Sequence, residues 1–125
     1  DELTKLQMYK KIASIKDEGD KEEIIDELLD RFGEIPKEAL NLIDIARIKS
    51  MADQAGVLRV HQEQKKLVLT FAQKNSLTPE KIDGLTQHYG MNLLIYGGVK
   101  PLFKINVKNE KWMKEALSIL TKLCQ

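Results

Sequence analysis

The sequence predicts an α+β fold in a single compact domain, with three N-terminal helices over about residues 1–56 and a ββαββα portion over about 57–125. Three observations predict it. Apolar residues recur with helical period as far as Gly56 and switch to alternating, β-rich runs from Val57. Gly19, Gly33, Gly56, Gly90, Pro36 and Pro79 punctuate the chain where elements of ordinary length would end or begin. The charge divides too: residues 1–56 hold nine Lys/Arg and fourteen Asp/Glu, net −5, and residues 57–125 hold eleven and five, net +6.

The first helix is predicted over residues 3–17, with Leu3, Leu6, Tyr9, Ile12 and Ala13 facing inward and Gly19 as its breaker. Asp20 followed by Glu23 has the form of a capping box and predicts the start of a second helix, which Gly33 closes in the left-handed conformation. Pro36 suits the first turn of a third helix, about 36–55. That helix is apolar on nearly all sides, which predicts a central pillar packed on more than one side. Gly56 ends it.

Val57–His61 and Lys65–Phe71 read as a hairpin joined through Gln62–Gln64. Thr78-Pro79-Glu80 supplies an N-cap, a proline at the first helical position and an acid in the first turn, predicting a helix to about Tyr89 with Gly90 as its stop. Met91–Tyr96 and Leu102–Val107 read as strands around Gly97-Gly98. Asn109 is expected to cap a last helix to about Leu123.

A chain of 125 residues is long enough for a real core. One cysteine, Cys124, forms no internal disulfide and points to a reducing compartment. No apolar run reaches the ~18 residues of a membrane span, and no signal-peptide pattern is present. The start at Asp1, just before a helical pattern, reads as a piece cut from something longer.

Catalytic chemistry finds little to stand on. Gly97-Gly98 is the only glycine pair and no GKS or GKT follows it, so the pair reads as a turn and not as a phosphate cradle. His61 and His88 lie on separate elements without Cys or paired carboxylates at ligand spacing. Cys124 has no basic or helix-N-terminal surroundings to activate it. Trp112 between Lys111 and Lys114, in a basic second half, raises nucleic-acid binding. Phe71, Tyr96 and Phe103 could stack bases, but the lysines are scattered, no RNP-like motif accompanies them, and core packing is the expectation for those aromatics.

One stretch stands out. In the second helix Glu23, Asp26, Glu27 and Asp30 fall on one face, opposite Ile24, Ile25, Leu28, Leu29 and Phe32. Carboxylates at i,i+3 and i,i+4 repel by a few tenths of a kcal/mol each, and Asp30 sits in the last turn, where the helix dipole disfavours it. Lys11 or Lys16 could neutralise part of the cluster. From the residues alone the stripe reads equally as a solvated face or as a docking face for a basic partner.

Four blocks in order carry a resemblance: Tyr9-x-x-Ile12-Ala13; Glu27-Leu28-Leu29-Asp30-Arg31-Phe32-Gly33-x-x-Pro36; Ala46-Arg47-Ile48-Lys49; and Phe71-Ala72-x-Lys74-Asn75. They resemble the C-terminal domain of the bacterial transcription-repair coupling factor, Mfd, most strongly over residues 9–75 and more loosely from about 84. The resemblance implies a cytoplasmic parent, an ATP-driven DNA translocase that displaces stalled RNA polymerase and recruits UvrA of nucleotide excision repair. ATP and Mg²⁺ would belong to the parent's motor and no cofactor to this chain. The domain itself would be a non-catalytic regulator that packs on a UvrB-like N-terminal module and covers its UvrA-binding surface. Acids at the positions of Glu27 and Asp30 would meet arginines of that module; Glu23 and Asp26 join them by helix geometry. The alternative is a nucleic-acid-binding accessory domain using the basic half.

Overall fold

The computed structural model describes residues 2–108 and 111–125. The predicted order is observed: α1 (Glu2–Ala13), α2 (Glu18–Phe32), α3 (Lys37–Ala55), β1 (Val57–Glu63), β2 (Lys66–Phe71), α4 (Pro79–Tyr89), β3 (Leu93–Tyr96), β4 (Leu102–Asn106) and α5 (Trp112–Leu123). The chain divides into two compact units, Asp1–Ser50 and Met51–Gln125, the division falling inside α3.

In the first unit Met8, Ile12, Ile15, Ile24, Leu28, Ala39, Ile43 and Ala46 form the core, with Ile25 and Ile35 packed against it. The expected inner face of α1 is corrected: Leu3, Leu6, Tyr9 and Ala13 are exposed, Leu3 by 67%, and Met8 takes their place beside Ile12. The helix also stops earlier than its pattern. The Ser14 hydroxyl donates to the Lys11 carbonyl at 2.7 Å, and the Ser14 and Ile15 amides donate back three residues, which tightens and closes the last turn. Gly19 breaks nothing; it lies in the first turn of α2.

The cap of α2 is Asp17, not Asp20. Asp17 Oδ1 accepts from the Asp20 amide at 2.8 Å, and the Asp20 carboxylate accepts from the Lys16 amide at 3.0 Å. This is the chemistry of the predicted capping box, placed three residues earlier. Gly33 behaves as expected, at φ 76°, with its amide donating to the Leu29 carbonyl at 2.9 Å. Only Ile24 and Leu28 of α2 are fully buried; Leu29 and Phe32 stay exposed. In α3 the consecutive residues Ala46, Arg47 and Ile48 are buried, so the helix is covered on more than one side as expected, although Leu40, Leu42 and Ile45 stay exposed.

Arg47 locks this unit. It is buried, its guanidinium donates to the Lys16 carbonyl at 2.9 Å, and its Nε lies 3.3 Å from Glu18 Oε1. Ser50 Oγ donates to the same carbonyl at 2.7 Å, so α3 holds the α1–α2 connection through one acceptor.

The second unit is an antiparallel sheet in the order β1-β2-β4-β3 with α4 and α5. The hairpin turn is shorter than expected: β1 runs to Glu63, opposite Lys66, and Gln64 (φ 54°) and Lys65 make the turn. Leu67, Leu69, Phe71, Phe103, Ile105, Ile119, Leu120 and Leu123 are fully buried, with the Phe71 and Phe103 rings 4.7 Å apart. Thr78 caps α4 as predicted, its Oγ1 accepting from the Lys81 amide at 3.2 Å. The Lys81 ammonium donates to the Leu123 carbonyl at 2.7 Å, placing a cation on the electronegative end of α5. Residues 90–92 form a 3₁₀ turn rather than strand. The expected cap at Asn109 lies outside the described residues.

Candidate functional site

The cap at Asp17 sets the rotation of α2, and burial of Ile24 and Leu28 turns the acidic stripe outward. The four carboxylates are not equivalent. Glu27 Oε1 accepts from the Lys11 ammonium at 2.8 Å and lies 3.4 Å from Arg31 Nη2. The Lys11 hydrogen bond holds the Glu27 carboxyl below the usual carboxylate range, against the opposing effect of desolvation and with help from the Lys11 and Arg31 charges. Both contacts fall on Oε1, leaving Oε2 for another donor. Glu23, Asp26 and Asp30 are exposed and make no ion pair or side-chain hydrogen bond among the described residues. One anion of the stripe is therefore neutralised inside the unit, and three remain open.

On another side of the same helix Leu28 and Phe32 line a groove of about 840 Å³ with Met8, Tyr9, Ile12 and Ala39. The sequence did not point to this groove, because its helical period assigned Tyr9 and Phe32 to the core. Phe32 is 50% exposed there.

The other residues considered for chemistry are dispersed. Among the described residues no three His, Cys, Asp or Glu side chains converge as metal ligands, and no helix is long and apolar enough to cross a membrane. His61 Nε2 lies 3.4 Å from Glu63, and His88 packs edge-on against Tyr89. The Tyr89 phenol donates to Glu115 at 2.7 Å, and burial, then that carboxylate, push it well above the usual range. The Cys124 thiol donates to the Met51 carbonyl at 3.3 Å. Phe71 and Phe103 are closed to solvent and can stack no base; Tyr96 is exposed, contrary to its expected core position, with Lys104 Nζ 5.8 Å from its ring centre.

Comparison with known proteins bears on the acidic helix. A family model described as the TRCF domain matches residues 1–82. The chain is 35% identical over 116 residues to the transcription-repair-coupling factor of Escherichia coli (strain K12), covering 90% of this chain and 10% of that protein. The chain belongs to the transcription-repair-coupling factor (TRCF) domain family. It is 31% identical over 122 residues to the Bacillus subtilis (strain 168) factor, covering 93% of this chain and 10% of that one. The TRCF chain thus spans about a tenth of the length of these relatives. A crystal structure of the C-terminal domain of transcription-repair coupling factor superposes with a TM-score of 0.83 at 26% identity, covering 98% of this chain and 80% of that one.

Two of the motif blocks that carried the resemblance have structural duties. Arg47 anchors the α1–α2 connection. Asn75 closes the turn after β2, its Nδ2 donating to the Ala72 carbonyl and its Oδ1 accepting from the Leu77 amide, while its backbone presses on Gly56.

Proposed function

We propose that this TRCF domain is a non-catalytic regulatory latch. Its acidic α2 face packs on the UvrB-like N-terminal module of the parent coupling factor and masks that module's UvrA-binding surface. The parent is an ATP- and Mg²⁺-dependent DNA translocase of the bacterial cytoplasm that releases stalled RNA polymerase and recruits excision repair. The observation that carries this reading is the row of open carboxylates Glu23, Asp26 and Asp30, flanking Glu27 with its unused Oε2, on the outer face of a helix whose orientation is fixed. Guanidinium groups docking there would relieve the mutual repulsion of the carboxylates and add bidentate, charge-assisted hydrogen bonds. Such pairs set orientation more than affinity, because both partners lose water on contact. That suits a closed state held by only a few kcal/mol, which events elsewhere in the enzyme can open.

The pairing of Lys11 with Glu27 sharpens the assignment. Asp30 and Asp26 offer unneutralised charge, whereas Glu27 already holds a cation and contributes a second lone-pair site. The alternative of base stacking from the sheet loses two of its three platforms to the core, Phe71 and Phe103.

The test is binding of this chain to the isolated UvrB-like module at two salt concentrations. The chain carrying both Asp26→Lys and Asp30→Lys should keep its circular dichroism spectrum and lose about tenfold or more in affinity, the loss shrinking at high salt. In the full-length parent the same pair should raise UvrA affinity without added DNA or polymerase. A folded variant that binds the module unchanged would leave the stripe as a solvated face.

A further inference from the structure

The two edges of the sheet are built differently. β1 is protected: its pairing with β2 is irregular between Val57 and Arg59, and it presents Arg59, His61 and Glu63. Breaks in register and charged side chains are the devices that keep an edge from recruiting another strand. β3, the other edge, has neither. It pairs with β4 in unbroken register from Leu93↔Ile105 to Tyr96↔Leu102, and Leu94, Ile95 and Tyr96 are each 40–51% exposed. Exposed apolar side chains continue past both ends, at Met91 and Val99. Among the described residues, the backbone of Leu93–Tyr96 makes one hydrogen bond outside its pairing with β4, from the Leu93 amide to the Gly90 carbonyl, and the rest of the edge is open.

The charge along β3, β4 and their connection has one sign, and the one carboxylate near it is Glu63 of β1, whose Oε2 lies 3.8 Å from Lys104 Nζ. Residues 84–109 contain no Asp or Glu and hold Lys100, Lys104 and Lys108. Lys100 lies in the connection leaving β3, and Lys108 follows the end of β4 that runs beside the start of β3. Lys104 is the cross-strand partner of Leu94 and sits over the Tyr96 ring.

We propose that the open edge of β3 binds an extended peptide segment rich in Asp or Glu, which adds to the sheet as a fifth strand. Hydrogen bonding dictates the backbone of the occupant, because only an extended chain matches the row of open donors and acceptors. Its side chains follow from the pleat. Those beside Ile95, on the face that carries the buried Phe103, are apolar; those beside Leu94 and Tyr96, on the face that carries Lys104, are acidic. A second copy of this chain is disfavoured, because pairing β3 with itself would bring the two lysine sets together. Four residues of edge offer few hydrogen bonds, so the interaction is of the weak, reversible kind. This inference stands apart from the α2 latch, since it involves neither α2 nor the UvrB-like module.

The probe is the blocked peptide Glu-Val-Glu-Val-Glu-Val, titrated into the isotopically labelled chain while amide resonances and hydrogen exchange are followed. The expected result is saturable binding at least about tenfold tighter than that of Lys-Val-Lys-Val-Lys-Val. Slowed exchange should be confined to β3, and a backbone N-methylated version of the acidic peptide should not bind. The variant Leu94→Glu, which leaves every fully buried residue in place, should weaken binding of the acidic peptide. Four outcomes would overturn the proposal: equal affinity for acidic and basic peptides, protection at β1 or on the helices instead of β3, protection of β3 by self-association without peptide, or a short thymidine oligonucleotide that competes for the same edge at equal affinity.

Discussion

Three glycines offer a graded test of the backbone, because their surroundings differ while the chemical change is nearly the same. Gly33 sits at φ 76° with no atom within 4 Å of an added Cβ, so a substitution there meets only conformational strain. Left-handed geometry costs a non-glycine residue roughly 1–2 kcal/mol, and a β-branched one lies at the upper end. Gly33→Val should therefore lower stability by about 1–2 kcal/mol. Gly56 has nearly the same φ, 75°, but an added Cβ would lie 2.6 Å from Asn75 Cα and 2.7 Å from the Lys74 carbonyl oxygen. Both are backbone atoms of a turn pinned by the Asn75 side chain and by the bond from the Ala72 amide to the Gly56 carbonyl. Overpacking of this kind costs roughly a further 1–3 kcal/mol, so Gly56→Ala should lose about 2–5 kcal/mol despite the smaller side chain. Gly84 lies inside α4 with open space around it, and Gly84→Ala should gain roughly 0.5–1 kcal/mol. The assay is urea denaturation of the three variants, compared at constant m-value. The reasoning fails if Gly33→Val costs as much as Gly56→Ala, or if Gly84→Ala destabilises the chain.

The Lys11–Glu27 contact should show in the pH dependence of stability. The folded-state pKa of Glu27 is depressed, so the contribution is fully present above the unfolded value near 4.5 and is lost as pH falls through the folded value. The stability difference between wild type and Lys11→Met should shrink on acidification through that window; a difference constant with pH would mean that Lys11 does not act through the Glu27 charge. Glu27→Lys should be less well tolerated than Asp30→Lys in the isolated chain, since it sets a third cation beside Lys11 and Arg31, and thermal melts of the two variants check the order. Asp17→Ala should cost about 1 kcal/mol through loss of the α2 cap, and an unchanged denaturation midpoint would place the start of that helix elsewhere.

How much of this was legible in the sequence varies with the range of the interaction. The order of all eight principal α and β elements after α1, the Thr78 cap, the left-handed Gly33 and the helix stops at Gly56 and Gly90 could be read directly, because each is decided by a few adjacent residues with strong φ preferences or capping side chains. The start of α2 was misplaced because Asp17 and Asp20 have the same capping chemistry, and the choice between them depends on where Ser14 closes the preceding helix. The acidic stripe was visible as a pattern. The inequality within it was not, because Lys11 and Glu27 meet only once two helices have packed.

The sequence by itself determined the sequence of elements, the sign of charge in each half and the face of α2 that stays in water, since all of these follow from local periodicity and residue type. Only the tertiary structure decided which apolar side chains of α1 and α3 stay outside, that Arg47 serves as an internal anchor, and that β3 rather than β1 is the unprotected edge of the sheet. The physical reason is that helical period distinguishes a polar face from an apolar one, yet an apolar face is buried only where another element lies against it. A strand, similarly, is an edge only by virtue of where its neighbours pair, and that is fixed by contacts between residues far apart in the chain.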